Sequence, residues 1–263
     1  MLPYFEAPQL HLWGPFQLHP FGILVVTGII AGTRWAKWQA SKRNVSIDEI
    51  TQAATWAVVV GLIVSHWVEI LFYQPERLQS EGIWILLKIW DGISSFGGYF
   101  GGWLGSFIYL KSLKKDTLIH KELLTQAIIV GQVFGRMACS IAHDHPGRLT
   151  DFFLAFQFPG GARHDLGFYE FLWITLVMVP GLFWINHKKL PTGSSMVFAC
   201  FTYAPARFFF DSLRAVDRAG SDLRYAGYTP AQYFCGILLI IGIVMLRYVI
   251  KNKPPYALEP SKA

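Results

Sequence analysis

The sequence predicts an all-α integral membrane protein with seven transmembrane helices, its N-terminus outside, its C-terminus in the cytoplasm, and loops at the outer face. The composition and the placement of basic residues support this prediction. Hydrophobic residues make up 53% of the 263 positions and charged residues only 15%, whereas a soluble domain has about 25% charged residues. This composition excludes a disordered chain, a coiled coil and a water-soluble globule.

Seven hydrophobic windows are each long enough for a helix that crosses the hydrocarbon core, which takes roughly 20 residues. They are residues 21–38, 53–73, 93–110, 123–141, 168–185, 195–210 and 232–249. We expect a single transmembrane domain over residues 1–263, with residues 1–20 as an interfacial segment and residues 250–263 as a cytoplasmic tail. Residues 1–20 contain four prolines and no Lys or Arg, which is unlike a cleavable signal peptide.

Basic residues set the predicted orientation. Alternate connections and the tail hold 14 of the 23 Lys and Arg residues, and the positive-inside rule places them in the cytoplasm. The two long connections, residues 142–166 and 211–231, then lie outside. Long ordered loops are usually functional, so we expect the site at the outer leaflet. The three cysteines form neither a CxxC pair nor an even disulfide set.

Ionisable residues inside the windows are costly and normally face the bundle interior. Tyr203, Arg207, Asp211 and Arg214 fall on one helix face, and their spacing predicts an Arg207–Asp211 ion pair. Arg136 is a second arginine near the outer end of a window. A guanidinium presents a fork of donors suited to phosphate oxygens. The alternatives are an internal salt bridge that only holds the bundle and a site for a lipid phosphate.

The fourth window is followed by the motif HDHPGR. Arg136, Cys139 and His143 share a predicted helix face. His143 and His145 flank Asp144, but no third and fourth ligands follow at a spacing typical of zinc sites, so we expect no metal site. Pro146 begins a turn that directs the loop.

The second and third windows carry two further patterns. One face of the second window holds His66, Glu69 and Tyr73. In the third window the glycines recur every four residues, at Gly97, Gly101 and Gly105. Such spacing permits close helix packing, and the alternative is room for acyl chains or a head group. For Glu170, in the first turn of the fifth window, the alternatives are a favourable interaction with the helix dipole and a functional role.

Motifs across nearly the whole chain resemble those of the prolipoprotein diacylglyceryl transferases. They are HPFGILVVTG, LFYQPE, WDGISSFGGYFGG, GRMACSIAHDHPGR, RHDLGFYE and YAPARFFFDSLR, in the family's order. The resemblance implies transfer of a diacylglyceryl group from phosphatidylglycerol to the lipobox cysteine thiol of a preprolipoprotein, with release of glycerol-1-phosphate. It implies an enzyme of the bacterial inner membrane that needs no metal or organic cofactor. We expect a monomer that does not bind nucleic acid.

The resemblance also implies roles for individual residues. Arg136 and Arg207 match two arginines of the family and would hold and polarise the lipid phosphate as catalytic groups. The residues implied to bind substrate are Tyr203, Asp211, Arg214, Arg163, His164, Tyr169, Glu170, Gly97 and Gly98.

The chain departs from the family pattern at the residue that would deprotonate the acceptor thiol. Gly97 stands where the family has a histidine, and glycine cannot take a proton. His143 and Glu69 are the catalytic candidates to replace it, with His145 as a further one. A thiol needs only modest assistance near two guanidinium groups. The alternatives are a phospholipid-binding homologue without the standard transfer or with a different acceptor, and a transporter; the absence of an internal repeat argues against a transporter.

Overall fold

The computed structural model describes residues 1–7, 10–13, 16–89, 91–217 and 224–259 and is mostly helical. The helices are α1 (Pro20–Lys42), α2 (Ile47–Val68), α3 (Pro75–Glu81), α4 (Ser95–Ser112), α5 (Leu118–Ala142), α6 (Leu166–Trp173), α7 (Val179–His187), α8 (Ser194–Ser212) and α9 (Pro230–Asn252). One compact unit comprises Met1–Ala36 and Thr125–Tyr256, and a second comprises Lys37–Leu124 with the residues from Ala257 onward.

Among the described residues, four helical stretches are long and apolar enough to cross a membrane: Ile47–Tyr73, Leu118–Ala142, Leu166–His187 and Pro230–Asn252. The other three windows fall on α1, α4 and α8, which have 23, 18 and 19 residues. Along α9, large apolar side chains such as Ile237, Ile240 and Val244 are exposed. Exposed contiguous apolar surface is what lipid contact requires. The chain is therefore a helical membrane protein.

Polar residues fix where several helices begin. The Ser46 side chain accepts a hydrogen bond from the Glu49 amide at the start of α2. Asp165 accepts one from the Phe168 amide at the start of α6. Before α9, Thr229 and Gln232 form a reciprocal capping box, followed directly by a proline at the first helical position. Each cap satisfies backbone donors that have no partner within the helix.

A π-helical turn at Glu69–Tyr73 ends α2. The Gln74 amide donates to the Glu69 carbonyl at 3.0 Å, five residues back. The wider turn rotates the following side chains relative to an α-helix. The predicted common face of His66, Glu69 and Tyr73 therefore does not continue to Tyr73. A second π-helical turn, Ile174–Met178, joins α6 to α7.

Glycines allow α4 to pack directly on the backbone of α2, as the spacing predicted. A methyl group placed on Gly101 would lie 2.8 Å from the Val60 carbonyl oxygen, and one on Gly105 would lie 2.2 Å from the Trp56 carbonyl oxygen. Both distances are too short for any side chain. Gly97 is equally close to the α2 backbone, so packing accounts for all three positions of the ladder.

Replacing Gly105 by alanine is expected to destabilise the protein by about 1–3 kcal/mol, the usual result of overpacking a close contact. Gly102→Ala is the matched control, because its added methyl group would meet the nearest atom, the Ala57 carbonyl oxygen, at an ordinary 3.5 Å. Thermal unfolding of the two purified variants measures the difference. Equal midpoints for both variants would contradict the packing role.

The connection predicted as an outer loop, residues 142–166, contains short β-strands. Strands β4 (Pro146–Leu149), β5 (Phe156–Phe158) and β6 (Gly161–Asp165) lie in this connection, whereas β1 (Leu2–Pro3), β2 (Leu10–Trp13) and β3 (Phe16–Leu18) lie in the N-terminal segment. The sheet has the order β1-β5-β6-β4, with β1 parallel to β5 and the other pairs antiparallel, while β2 and β3 form a hairpin. Residues 218–223 of the second long connection lie outside the described residues.

A buried apolar cluster holds the helices of the first unit together. It consists of Ile129, Ile174, Met178 and Leu182, with Phe198 and Tyr203 packed against it. These residues come from α5, the α6–α7 stretch and α8. The polar residues described next lie on the same helices, so the cluster fixes their backbones.

Candidate active site

A buried carboxylate, Glu170 on α6, lies between two arginines from neighbouring helices. The Nε of Arg136 on α5 is 3.1 Å from Glu170 Oε2, and the Arg207 guanidinium on α8 donates to Glu170 Oε1. Tyr203 joins them, because Arg136 Nη2 donates to its hydroxyl at 3.2 Å and that hydroxyl lies 3.4 Å from Glu170 Oε2. Glu170 is 2% exposed, so both ion pairs are shielded from water.

A second buried carboxylate, Asp211, extends this network along α8. Its Oδ1 lies 3.4 Å from Arg207 Nη2 and 2.7 Å from Arg214 Nε. The Thr229 hydroxyl, at the cap of α9, donates to the other oxygen. The ion pair predicted from the Arg207–Asp211 spacing is confirmed. Asp211 also serves Arg214, so it is the partner of both arginines.

The network brings several guanidinium groups together around two buried carboxylates. Three guanidinium groups, from Arg136, Arg207 and Arg214, meet two carboxylates, from Glu170 and Asp211. Only Asp211 was expected beside the arginines, and Glu170 was assigned to substrate binding by the resemblance; the structure makes Glu170 a direct partner of Arg136 and Arg207. Guanidinium groups held close together present forks of donors that suit the oxygens of a phosphate ester.

The chain turns sharply after α5, and this places the HDH motif. The helix ends at Ala142, and His143 has a φ of 49°, in the left-handed region. The predicted face of Arg136 and Cys139 therefore does not include His143. Instead, His143 Nδ1 lies 2.5 Å from Asp165 Oδ2.

Aromatic rings surround His143. The rings of Tyr4, Phe5, Phe156 and Phe158 lie within 4.8–5.4 Å of it, measured between ring centroids. Its side chain is 3% exposed. These contacts join the end of α5 to the β-sheet.

His145 and Asp144 lie near the arginines. Burial, followed by three guanidinium groups, holds the pKa of His145 well below its ordinary value, so the ring is neutral at pH 7. These guanidinium groups belong to Arg214, Arg136 and Arg207. Burial also raises the pKa of the Asp144 carboxyl to about 6, although Arg136 and a hydrogen bond with Cys139 oppose the rise.

Backbone pairing fixes the segment that carries His145. The Leu166 amide donates to the His145 carbonyl at 3.1 Å, and the Ala215 amide donates to the Pro146 carbonyl at 3.4 Å. Gly147 pairs with Arg214 in an isolated β-bridge. A methyl group on Gly147 would lie 2.8 Å from the Leu213 carbonyl oxygen, so only glycine permits this approach. The HDHPG turn is thus tied to the end of α8.

Three further residues from the sequence analysis lie on β6 and α6. Arg163 Nη1 donates to Asp217 Oδ1 at 3.0 Å and to the Gly147 carbonyl at 3.1 Å. Asp217 raises the pKa of Arg163 above its ordinary value. His164 Nδ1 lies 3.0 Å from the Tyr169 hydroxyl. These contacts brace the β-sheet and the start of α6.

The remaining sequence-based candidates belong to the second unit. Glu69 Oε1 accepts a hydrogen bond from Gln74 Nε2 at 2.8 Å. Gly97 packs on the α2 backbone, and Gly98 is near Ser65, at ordinary contact distance.

Two participants were not assigned to the site from the sequence. Thr229 could have been recognised only as a helix cap, since it directly precedes Pro230. Cys139 was placed on a face with Arg136, but its approach to Asp144 depends on the turn at His143. That turn has no clear signal in the sequence, because His143 is not a glycine.

Comparison with a family model and comparison with individual proteins both lead to the same family. A family model described as prolipoprotein diacylglyceryl transferase matches residues 8–248. The chain is similar to phosphatidylglycerol–prolipoprotein diacylglyceryl transferases of several bacteria. Identity is 25% over 88% of both chains for Chromohalobacter salexigens, and 28% over 97% of this chain and 96% of the relative for Phenylobacterium zucineum. For the relative from Ectopseudomonas mendocina, identity is 26% over 97% of this chain and 98% of the relative.

Proposed function

This chain belongs to the prolipoprotein diacylglyceryl transferase family, and from that premise we propose that its arginine network binds the lipid phosphate during transfer. The reaction is transfer of a diacylglyceryl group from phosphatidylglycerol to the cysteine thiol of a prolipoprotein. The observation that supports our proposal most is Glu170, which holds Arg136 and Arg207 side by side.

The chemistry explains why two arginines are needed. The acceptor sulfur attacks the glyceryl carbon that carries the phosphate, and the carbon–oxygen bond breaks with its electron pair on oxygen. The leaving group then changes from a singly charged diester to a phosphate monoester that gains negative charge. Fixed guanidinium donors stabilise this charge as it develops, without the reorganisation that water would need. Arg136 and Arg207 are the catalytic residues of this step.

We propose that the other residues of the network position these two arginines. Glu170 and Asp211 neutralise part of the guanidinium charge and fix the planes of the two forks. Tyr203 contacts both Arg136 and Glu170, and Arg214 pairs with Asp211. The sequence-based roles of Arg163, His164 and Tyr169 in substrate binding become indirect, since these residues brace the sheet beside the site.

The second part of the proposal concerns the residue that assists deprotonation of the acceptor thiol. Three candidates came from the sequence: His143, His145 and Glu69. The Asp165 contact and the enclosing rings favour a structural role for His143. The backbone pairing that holds the His145 segment against Arg214 at the end of α8 favours His145 as the group at the reacting thiol. Gly97 and Gly98, which the resemblance assigned to substrate binding, are helix-packing positions in our proposal.

A direct test uses the purified chain in phosphatidylglycerol vesicles with a peptide that contains a lipobox cysteine. We expect a mass increase on the peptide equal to one diacylglyceryl group, together with release of glycerol phosphate. A peptide with serine in place of the cysteine is the control and should stay unmodified. Binding of phosphatidylglycerol without any transfer would instead support the alternative of a lipid-binding homologue.

We further propose seven membrane spans in the bacterial inner membrane, an outer N-terminus, a cytoplasmic C-terminus and a monomer whose site faces the outer leaflet. The distribution of 14 of the 23 basic residues supports this orientation. The region after α5 bears the site, and the same rule places it outside.

Cysteine labelling in intact cells tests the orientation. Lys114→Cys and Lys188→Cys should be protected from a membrane-impermeant thiol reagent, whereas Arg148→Cys should be labelled. All three positions are exposed, and the native cysteines are buried, so they add little background. Labelling of Lys114→Cys from outside would overturn the orientation. Asp222, a second outer position in the sequence analysis, lies outside the described residues.

A further inference from the structure

A hollow of about 500 Å³ lies at the connection between α4 and α5, within the second unit. Four lysines contribute to its lining: Lys111, Lys114, Lys115 and Lys121. All four are exposed, whereas Leu110, which also lines the hollow, is 2% exposed. Positive charge gathered around a concave surface raises the local concentration of anions. The hollow is therefore suited to an anionic group.

The lysines differ in their contacts with the protein. Lys115 Nζ donates to both carboxylate oxygens of Glu49, at 2.7 and 2.9 Å, so its charge is largely used within the chain. Lys111 Nζ lies 5.9 Å from the centre of the Phe107 ring, a contact that leaves its ammonium hydrogens to other acceptors. Lys114 has a φ of 52°, and the chain turns there between the two helices. The turn brings lysines from the end of α4 and the start of α5 around one hollow.

The start of α5 adds a hydroxyl group to the lining. Thr117 lines the hollow and directly precedes Leu118, the first residue of α5. It is 8% exposed, and in the part of the chain that the structure describes its hydroxyl has no hydrogen-bond partner. A buried polar group without a partner is costly. An oxygen of a ligand in the hollow would satisfy this hydroxyl, at the end of the helix where the dipole also favours an anion.

One carboxylate, Asp116, shares the lining with the lysines. Its Oδ1 accepts a hydrogen bond from the Leu118 amide at 2.9 Å. The carboxylate thus satisfies a backbone donor at the start of α5, as helix caps do. Within the described lining, lysines outnumber it four to one, so the hollow favours an anion over a cation.

An exposed aromatic surface of α4 begins at this hollow. Phe107 lines the hollow, and its ring stacks on that of Trp103 with 5.4 Å between the centroids. Phe100 stacks on the other side of Trp103, at 5.9 Å. Trp103 is 57% and Phe107 is 38% exposed, and such rings on a membrane helix contact acyl chains and head groups. A phosphate-sized basic hollow beside an apolar surface matches the two parts of a phospholipid.

We infer that the hollow binds the phosphate of an anionic phospholipid that is not consumed in the reaction, with its acyl chains along Trp103 and Phe107. Lysine ammonium groups are compact point charges that bind phosphate. The orientation proposed above puts this connection at the cytoplasmic leaflet, where anionic lipids attract basic residues. The inference goes beyond the transfer reaction, because every residue of the hollow belongs to the second unit and none to the arginine network.

Amine labelling resolved by residue tests the inference. The full chain is reconstituted in nanodiscs of phosphatidylcholine, with or without added phosphatidylglycerol, and without acceptor peptide. Both faces of a nanodisc are accessible, so the result does not depend on the orientation. Phosphatidylglycerol should slow acetylation of Lys111 and Lys114 at least about fivefold, the effect expected for a basic residue near an anionic surface. Lys188 and Lys189, exposed lysines of the first unit, control for the general surface charge and should be slowed much less.

A variant of the buried hydroxyl tests the built part of the site. Thr117→Val keeps the shape of the side chain and should weaken the protection of Lys111 and Lys114 by about fivefold, as for loss of one hydrogen bond. Its unfolding midpoint in phosphatidylcholine should not fall, because the hydroxyl has no partner to lose among the described residues. Thr55→Val, at an exposed position of α2 in the same unit, is the matched control and should keep the protection.

The remaining outcomes separate the sources of the phosphate and the two proposals. Equal labelling of Lys111 in the two kinds of nanodisc, or equal slowing at Lys188, would overturn the inference. Inorganic phosphate that protects Lys111 in phosphatidylcholine nanodiscs as strongly as phosphatidylglycerol does would overturn the assignment to a lipid. Protein that transfers lipid without this protection would overturn the inference and leave the proposed function standing. Protection in a protein that never transfers lipid would count against the proposed function alone.

Discussion

Replacing Arg207 by alanine is expected to lower diacylglyceryl transfer at least about 100-fold, and Arg136→Ala should have an effect of similar size. Each variant removes a charged donor that we propose for the phosphate oxygens, and it also leaves Glu170 with one guanidinium partner instead of two. Initial rates with saturating lipobox peptide in phosphatidylglycerol vesicles measure the loss. Lysine at either position should restore transfer only in part, because a point charge replaces a fork of donors.

Arg247→Ala is the matched control for the two arginine variants. Arg247 lies on α9 in the same unit and is exposed, so its loss should change transfer no more than about twofold, as for an ordinary surface substitution. Equal rates for wild type and Arg207→Ala would show that the phosphate binds elsewhere. An effect confined to protein yield would instead favour the internal salt bridge that only holds the bundle.

Glu170→Gln is expected to destabilise the protein by about 3–5 kcal/mol, the usual cost when one member of a buried ion pair is removed. The amide keeps the shape of the side chain but leaves the guanidinium groups of Arg136 and Arg207 to repel each other. Glu170 is 2% exposed, so water screens that repulsion poorly. Thermal unfolding of the purified variant, monitored by exposure of the buried cysteines, measures the change.

Glu76→Gln controls for the loss of a carboxylate as such. Glu76 is exposed in the first turn of α3, where a single charge contributes little. An unfolding midpoint of Glu170→Gln equal to that of Glu76→Gln would contradict the role of Glu170 as the carboxylate that holds the arginines together.

Much of the site could be predicted where it depends on spacing within one helix. The Arg207–Asp211 pair follows from four-residue spacing, and the close packing of α4 on α2 follows from the glycine ladder. Both are local periodicities that a helix converts directly into geometry.

Contacts between distant segments could not be predicted in the same way. Glu170 meets Arg207 across 37 residues, and its helical position alone left open a dipole interaction or a functional role. The strands of the four-stranded sheet have two to five residues, too few to show an alternating pattern. The turn at His143 needs a positive φ at a residue that is not glycine, and neighbouring contacts rather than local preference stabilise it.

The parallel pairing of Leu2 with Phe156 has a consequence for biosynthesis. Strand β1 can join its sheet only after α1 to α5 have been synthesised and β5 has emerged, so this pairing has a high contact order and is expected to form slowly. Until then Tyr4 and Phe5 cannot cover His143, and the turn that carries Asp144 and His145 lacks its support. A nascent chain therefore acquires a working site late, after its first helices are already in the bilayer.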